Sequence, residues 1–506
     1  MPAPAGKRTD WIITAGLFAL TFLSRIPFRT TMLYAWDSVL YTRAIAHFDV
    51  TIDQPQPPGH IFYVGLVWLV NQAISDANSA MVWISIFFSA AAVAALFWLG
   101  NRMFSRGTGL VAALLLATSL SFWAYGEAAY PYTLLAFLSV VLAGVFWRLW
   151  QGSGNWLMPA GLLLGLASGF RQDLLPFMLP LLVVSAWNKG WRRQAGAALL
   201  LAAGAAAWYI PSALLSGGFG PYQAASSRQT DYLLTYFSVF GRGAAGLWTN
   251  TSALGRFLLF GMAGAAALVL ILAVVLAKPR TRRLLRDRRL AFLLVWLAPS
   301  VLFYAFIHVG EYGYVFSFLP ALLLLLAWTL QVWAEERSAD SGPAAAGASA
   351  DSGPAAASKA ARLTWTVAAP LLFLNLLLFL VLTPPLSANR LAARDDILRS
   401  KIATIEQNFN PATTLIVSVF DYQQARYYLP GFRNWTFDPS VEKHPAAALA
   451  PGIENVIVFE EYLSPGDPGA MKLPLDRDQT LFYLRRGADA AVRIDWDQRK
   501  VYLEHE

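Results

Sequence analysis

Apolar residues in this chain occur in long, nearly unbroken runs, and few segments show the periodic faces of a soluble fold. Before residue 386, about eleven of these runs approach the roughly 20 residues that a helix needs to cross a bilayer. The first run, residues 11–28, follows Lys7 and Arg8 without a small-residue cleavage site, so it predicts a retained first span and not a signal peptide. The pattern therefore predicts an all-α polytopic membrane domain over residues 1–385.

The pattern changes after residue 385. A helix-like segment, RDDILRSKIATIEQNF, is followed by short β-rich runs, TTLIVSV, NVIVFEE and TLFYLRR, and then by RIDWDQRKVYLE. The octapeptide before the second run, DYQQARYY, is compatible with a helix between strands. Residues 386–506 are therefore predicted to form a small soluble α/β domain.

Lysine and arginine are concentrated at alternate ends of the apolar runs. The strongest cluster is residues 278–289, where seven of twelve residues are basic. The positive-inside rule then predicts a multi-pass protein of the cell membrane, with a cytoplasmic N-terminus and an extracytoplasmic C-terminal domain. The octapeptide ADSGPAAA occurs at residues 339 and 350, and its small residues and proline predict a disordered cytoplasmic linker over residues 335–362.

Composition excludes several classes of function. The formal charge of +8 would suggest nucleic acid in a soluble protein, but here it follows from basic cytoplasmic loops, and we expect no nucleic-acid partner. The absence of cysteine excludes disulfides, a thiolate nucleophile and cysteine-ligated zinc. Five scattered histidines give no metal-ligand spacing, so no metal and no cofactor are expected.

Ionisable residues gather in the predicted first outer loop, residues 29–78. Asp37 lies in a short amphipathic segment and shares a predicted helix face with Tyr41. A carboxylate beside a membrane is costly to desolvate and is a hypothesis of function by default. The alternative is a solvated interfacial helix that Asp37 caps. Further along, Pro57, Pro58 and Gly59 form a rigid lead-in to a helix whose first N–H groups would suit an anion such as a lipid phosphate.

These features resemble the GT-C glycosyltransferases. The sequence Trp36-Asp37-Ser38 followed by Pro57-Pro58-Gly59, between hydrophobic helices, is similar to the family 39 type, which includes protein O-mannosyltransferases and bacterial lipid A aminoarabinose transferases. The resemblance covers roughly residues 10–335 and does not reach the tail. It implies a GT-C-like fold, a donor sugar carried on a polyprenyl phosphate and a catalytic aspartate at Asp37.

The chemistry of such a transfer assigns roles to further residues. Asp37 would take the proton of the acceptor as it attacks the anomeric carbon, and the departing phosphate needs cationic or N–H partners. Arg171, an isolated cation at an outer helix end, is the first choice for that phosphate, although it is equally well explained by a pair with Asp173. His60 is a further candidate, together with Gln56, which stands where many relatives carry His or Lys.

Five residues are candidate contacts for the acceptor or the sugar. For each of them an ordinary surface or structural role is the alternative. They are Tyr41, Glu127, Asp173, His308 and Glu311.

Together these features predict an inverting glycosyltransferase that moves a sugar from a polyprenyl-phosphate donor to a lipid, glycan or protein acceptor at the outer face of the membrane. Its partners would be membrane lipid, the lipid-linked sugar and an unidentified acceptor. A transporter or flippase of a lipid-linked glycan is the main alternative, although the paired repeats common in transporters are not evident. A weaker alternative is an assembly protein whose tail binds a partner.

Overall fold

The computed structural model describes residues 5–278, 284–340, 353–487, 489 and 491–504. Within these ranges eight helices are long and apolar enough to cross a membrane, against the eleven spans expected from the sequence. Four shorter apolar helices of 10–17 residues accompany them. The predicted class, an all-α polytopic protein with a small C-terminal sheet domain, is confirmed, while the number of spans is only approximate.

The helices are numbered in chain order. The membrane part has sixteen in the described ranges: α1 Ala5–Arg25, α2 Trp36–Ala46, α3 Ile61–Ile74, α4 Ala77–Met103, α5 Arg106–Thr118, α6 Leu120–Tyr125, α7 Tyr132–Trp150, α8 Leu157–Ala167, α9 Leu174–Ala186, α10 Trp191–Leu215, α11 Phe219–Tyr236, α12 Val239–Met262, α13 Leu268–Ala277, α14 Arg288–Phe306, α15 Leu319–Asp340 and α16 Gly353–Leu380.

Two segments depart from the sequence prediction. The apolar run at residues 107–123, which by its sequence predicts one span, is divided into α5 and α6 because Ser119 ends one helix and caps the next, accepting the N–H of Phe122 at 3.4 Å. Residues 216–250 contain no long apolar run, and their sequence predicts an outer loop, but they are largely helical, since they contain α11 and the first half of α12. Ser238 caps α12 through the N–H groups of Phe240 and Gly241, which its sequence position alone did not reveal.

The predicted disordered linker, residues 335–362, is helical where the structure describes it. Residues 335–340 complete α15, and residues 353–362 begin α16, where alanine, the strongest helix former, predominates over the glycine and proline at the start of the helix. Residues 341–352 of the predicted linker lie outside the described ranges.

The membrane core lies among α4, α5, α7 and α15, whose facing side chains are almost fully buried. Glycines allow α8 and α10 to approach closely. A Cβ at Gly161 or Gly165 would overlap the carbonyl oxygens of Ala197 and Leu201, and one at Gly204 would lie 2.9 Å from the carbonyl oxygen of Leu162. Small residues one turn apart are a common means of helix packing in membranes.

The tail forms two sheets and two helices, α17 Ala388–Asn408 and α18 Tyr422–Tyr428. A five-stranded sheet has the order β2-β1-β4-β7-β6, parallel between β2, β1 and β4 and antiparallel beyond, and a second sheet has the order β3-β8-β9-β5. The strands are β1 Thr414–Val417, β2 Arg433–Trp435, β3 Ala446–Ala448, β4 Asn455–Val458, β5 Ser464–Pro465, β6 Met471–Pro474, β7 Thr480–Arg485, β8 Ala491–Asp495 and β9 Lys500–Glu504. Strands β1, β4 and β7 coincide with the three predicted runs.

The tail packs on residues 29–60, which we call the platform. Asp395 in α17 accepts hydrogen bonds from both the N–H and the hydroxyl of Thr31, the latter at 2.8 Å. The Tyr428 hydroxyl accepts the N–H of Leu33 at 2.9 Å. These contacts fix the segment that leads from α1 into α2.

Candidate active site

A cavity of about 430 Å³ lies beside α2. It is bordered by the platform, by the turn between α8 and α9, by α11, and by the ends of helices near residues 303–314. We call it the α2 cavity. Most of the residues predicted from the sequence to form the site line it: Asp37, Tyr41, Gln56, His60, Arg171, Asp173 and His308.

Asp37 is placed by the first turn of α2. The hydroxyl of the buried Ser38 donates to the carbonyl of Ala129 at 2.7 Å and anchors this turn to the segment before α7. Asp37 is half-buried and takes part in no direct ion pair within the described part of the chain. Burial raises the pKa of Asp37, and the positive charge of Arg171 acts in the opposite direction. This carboxylate is thus free to accept a proton from a bound group.

Tyr41 and His60 form a pair at the wall of the cavity. The Tyr41 hydroxyl and Nδ1 of His60 are hydrogen-bonded at 2.7 Å. Burial, with a smaller contribution from Arg171, lowers the pKa of His60 well below its usual value, so its imidazole is neutral near pH 7. It therefore acts toward a phosphate as a neutral hydrogen-bond donor at most.

The loop that carries His60 is shaped by Gly59. Its φ of +110° is accessible to glycine, and a Cβ there would lie 2.8 Å from side-chain atoms of Phe48 and Val50. Gln56 lines the cavity on the same loop. The expected free N–H groups at the start of α3 are partly used, because the N–H of Phe62 donates to the carbonyl of Gly169 at 3.1 Å.

Arg171 is almost fully buried, with 8% of its surface exposed. It forms an ion pair of 3.1 Å with Asp173 and lies over the rings of Tyr132 and Tyr314, at 4.7 and 5.4 Å from their centres. Burial alone would lower the pKa of Arg171, but Asp173 and the neighbouring tyrosines raise it well above its usual value. The ion pair with Asp173 that the sequence suggested is therefore present, and the same guanidinium also borders the cavity.

Several polar groups of the cavity were not predicted from the sequence. Tyr132, Tyr304 and Gln172 line it, and their buried hydroxyl and amide atoms have no hydrogen-bond partner within the described chain. Nδ1 of His308, a residue that was predicted, also has no partner there. Burial lowers the pKa of His308 to about 4, so it is neutral as well. Buried polar atoms without partners are unfavourable unless a ligand or water satisfies them. Only Gln172 had a sequence signal, as the middle residue of the polar Arg-Gln-Asp turn.

Glu127, a predicted acceptor or sugar contact, does not border the cavity. Its side chain is fully buried, and the indole N–H of Trp123 donates to it at 2.5 Å. Burial raises the pKa of Glu127 well above its usual value, while Arg25 opposes this. The outer turn folds inward because Thr30 binds the carbonyl of Glu127, so this carboxylate contributes to the interior of the protein.

Glu311 lies at a second, separate cavity. The hydroxyl of Tyr125 donates to its carboxylate at 2.6 Å, and Tyr130 lies at 3.4 Å. Burial raises the pKa of Glu311 to about 7; the hydrogen bond from Tyr125 opposes this and the charge of Asp37 adds to it. The carboxylate of Glu311 therefore lies within range of the charge of Asp37.

Fold and site together define a polytopic helical membrane protein in which a carboxylate and a buried guanidinium share one polar cavity. The family model described as dolichyl-phosphate-mannose-protein mannosyltransferase matches residues 55–215. The fold is shared with ArnT from Cupriavidus metallidurans: the structure bound to undecaprenyl phosphate has a TM-score of 0.53 at 11% identity, and the apo structure 0.51 at 12%, each covering 95% of this chain and 98% of the other. No curated protein matches significantly.

The family match and the shared fold confirm the resemblance to the GT-C glycosyltransferases that the sequence indicates. The matched family segment begins at Pro55 and includes the Pro57-Pro58-Gly59 element and Arg171. Asp37 lies before that segment, so the family match does not bear on the role predicted for it.

Proposed function

We propose that this protein is an inverting glycosyltransferase that moves a sugar from a polyprenyl-phosphate donor to a lipid, glycan or protein acceptor at the outer face of the membrane. The observation that carries the proposal is that Asp37 and Arg171 line one cavity. The shared fold adds support, because ArnT from Cupriavidus metallidurans was solved bound to undecaprenyl phosphate.

The reaction follows from the charges of the two groups. The acceptor hydroxyl or amine attacks the anomeric carbon and forms the new glycosidic bond, while the bond from that carbon to the phosphate oxygen breaks. Asp37 receives the acceptor proton. The lipid phosphate leaves with the electron pair of the broken bond, and Arg171 stabilises its charge. A single displacement of this kind inverts the anomeric configuration.

The tyrosines around Arg171 prepare it for this role. The guanidinium lies over the rings of Tyr132 and Tyr314, so its orientation is restricted before any ligand binds. Asp173 holds the same group through an ion pair of 3.1 Å. An arginine held in this way loses little conformational freedom when it binds a phosphate.

Replacement of Asp37 by Asn tests the proposal. The amide has nearly the same shape but accepts no proton, so we expect transfer to fall on the order of 10²–10⁴-fold with little effect on undecaprenyl-phosphate binding. The measurement is release of free polyprenyl phosphate from a lipid-linked sugar in the presence of a membrane extract as the acceptor source. Asp53→Asn, on the same loop but outside the cavity, is the matched control. Wild-type transfer by the Asp37→Asn variant would refute the proposed role.

A further inference from the structure

A third cavity, of about 340 Å³, lies where α18 of the tail packs on α2 of the platform. We call it the α18 cavity. Its polar lining consists of Arg43 from α2, Tyr422 and Arg426 from α18, and Asn434 from β2. None of its lining residues borders the α2 cavity or the cavity beside Glu311, and none lies in the matched family segment. The α18 cavity is therefore separate from the site of the proposed reaction.

Two arginines supply the charge of this lining. Arg43 is half-buried and donates one N–H to Oε1 of Gln423 at 2.9 Å, and it forms no ion pair within the described residues. Arg426 is exposed, and its side chain has no hydrogen bond, ion pair or ring contact in the part of the chain that the structure describes. Since a guanidinium carries five N–H donors, most of those on both arginines are available to a ligand.

The two guanidinium groups act on each other through their charges. Burial lowers the pKa of Arg43, and the positive charge of Arg426 lowers it further, whereas Tyr422 has the opposite effect. No carboxylate belongs to the lining among the described residues. Two like charges in one cavity repel each other, and an anion between them reverses the sign of the interaction. The lining therefore suits an anion such as a phosphate, which arginine binds through charge-assisted hydrogen bonds.

Asn434 adds a second requirement. Its Nδ2 donates to the carbonyl of Phe432 at 2.9 Å, which fixes the orientation of the amide, and its buried Oδ1 has no hydrogen-bond partner within the described chain. A buried acceptor without a partner is unfavourable. An ionised phosphate diester offers no donor, whereas an alcohol does. A ligand that satisfies the whole lining therefore carries a hydroxyl close to its negative charge.

The α18 cavity lies close to one end of a candidate membrane span. Asp76 caps α4, which is long and apolar enough to cross a membrane. Burial raises the pKa of Tyr427, the residue after Arg426, and the charge of Asp76 adds to this. Trp68 and Leu69 of α3, shortly before Asp76, expose 50% and 60% of their surfaces, as side chains in contact with lipid do. Because the ends of apolar spans lie at the level of the headgroups, a lipid headgroup is the nearest source of a phosphate ester.

We propose that the α18 cavity binds a phosphate ester that carries a free hydroxyl, as in the headgroup of phosphatidylglycerol. Arg43 donates to the phosphate oxygens from α2 and Arg426 from α18, while Asn434 accepts the hydroxyl. The bound group thereby joins the tail to the helix that carries Asp37. Since Asp37 does not line this cavity, the ligand is a structural partner of the protein and takes no part in transfer. A soluble ester with the same groups, such as glycerol 3-phosphate, is the other source of this chemistry.

Matched headgroups test the assignment without any transfer reaction. The full-length protein, freed of lipid in detergent, is titrated in a calorimeter with dioctanoyl forms of phosphatidylglycerol, phosphatidylmethanol and phosphatidylcholine. Phosphatidylmethanol keeps the negative charge but lacks the hydroxyl, and phosphatidylcholine has no net charge. We expect phosphatidylglycerol to bind at least about tenfold more tightly than phosphatidylcholine and at least about threefold more tightly than phosphatidylmethanol.

A parallel titration with glycerol 3-phosphate distinguishes the two sources. Binding at least as tight as that of phosphatidylglycerol indicates a soluble ester, and weaker binding indicates a headgroup. The proposal is overturned if phosphatidylglycerol and phosphatidylcholine do not differ and glycerol 3-phosphate does not bind. Equal binding of phosphatidylglycerol and phosphatidylmethanol contradicts the role given to Asn434.

Arginine variants locate the charge preference in the α18 cavity. Arg43→Ala combined with Arg426→Ala is expected to remove the preference for phosphatidylglycerol over phosphatidylcholine, and the two Lys substitutions are expected to retain most of it because the charge remains. Arg242→Ala combined with Arg485→Ala removes two exposed arginines outside the cavity and is the matched control. A preference that survives the Arg43 and Arg426 alanine substitutions, or that the control also loses, contradicts the site.

Two single substitutions complete the test. Asn434→Ala should bind phosphatidylglycerol and phosphatidylmethanol equally while still preferring both to phosphatidylcholine. Arg426→Ala alone removes an exposed side chain on which no contact depends, so it leaves the fold intact and should weaken phosphatidylglycerol binding at least about threefold. The midpoint of thermal unfolding without lipid verifies that each variant is folded. Saturating phosphatidylglycerol should raise that midpoint in the wild type, and an equal rise in Arg426→Ala would contradict the proposal.

Discussion

Asp37 and Arg171 lie far apart in the sequence, and each has an ordinary structural explanation when considered alone. Asp37 begins a short helix, and Arg171 pairs with its near neighbour Asp173. Their significance arises from a shared cavity in which polar atoms of Tyr132, Tyr304 and Gln172 have no partner within the described chain. The cost of burying such atoms is offset when a polar ligand is bound.

The pH dependence of transfer should report the coupling between these two residues. In the proposed reaction Asp37 is active as the carboxylate, so activity should be lost as pH falls through its pKa, which burial raises above its usual value. Arg171 lowers that pKa. Arg171→Gln should therefore move the acidic limb of the pH–rate profile to higher pH and also weaken donor binding. Profiles of kcat measured across the acidic range check this.

Arg171→Lys is the control, since it retains the positive charge but loses the planar guanidinium that can bind a phosphate through two N–H groups. Its acidic limb should stay near that of the wild type while the Michaelis constant for the donor rises. An unchanged limb in Arg171→Gln would show that these groups do not interact during turnover.

At the scale of elements, the short helices α8 and α9 determine where Arg171 lies, since it occupies the turn between them. Gly161, Gly165 and Gly169 are spaced four residues apart in the sequence, and the first two allow α8 to contact α10. The third lies against Phe62 and Trp208. Close packing of α8 thus holds the turn that carries Arg171 at the cavity.

Gly165→Ala should therefore destabilise the protein. The new methyl group would overlap the carbonyl of Leu201, and relief of such an overlap costs about 1–3 kcal/mol. We expect a lower midpoint of thermal unfolding in detergent and reduced donor affinity. Gly144→Ala, in α7, is the control, because nothing lies within 4 Å of its added Cβ. A midpoint that does not differ between the two variants would contradict the packing argument.

At the scale of the whole molecule, the tail is joined to the platform by hydrogen bonds. Thr31 and Leu33 bind Asp395 and Tyr428, and Arg43 of α2 donates to Gln423 at 2.9 Å. Tyr232 of α11 adds a further contact by donating to Asp438 at 2.6 Å. The tail thus stabilises the segment that positions Asp37, in addition to bordering the second cavity beside Glu311.

Asp395→Ala should loosen the platform. The substitution leaves the N–H and hydroxyl of Thr31 without their acceptor, at a cost of about 1–3 kcal/mol. We expect faster limited proteolysis within residues 29–60 and a lower rate of transfer. Asp476→Ala, an exposed tail carboxylate, is the control. Proteolysis that is equally slow in both variants would show that Asp395 does not hold the platform.

The sequence by itself determined the class of fold, the short strands of the tail and the cluster of candidates around Asp37. These depend on the local pattern of apolar and polar residues, which decides whether a segment lies in the membrane or remains in water. Short or interrupted helices were harder to place. Their ends are set by caps such as Ser119 and Ser238, whose hydroxyl oxygens accept backbone N–H groups, and the residue type alone does not show that this contact forms.

Only the tertiary structure decided which candidates meet. It brought His308 and Arg171 to the α2 cavity, turned Glu127 into the interior and placed Glu311 beside a second cavity made partly by the tail. Such encounters depend on contacts between residues distant along the chain, and the close packing of helices decides them. No local pattern contains that information.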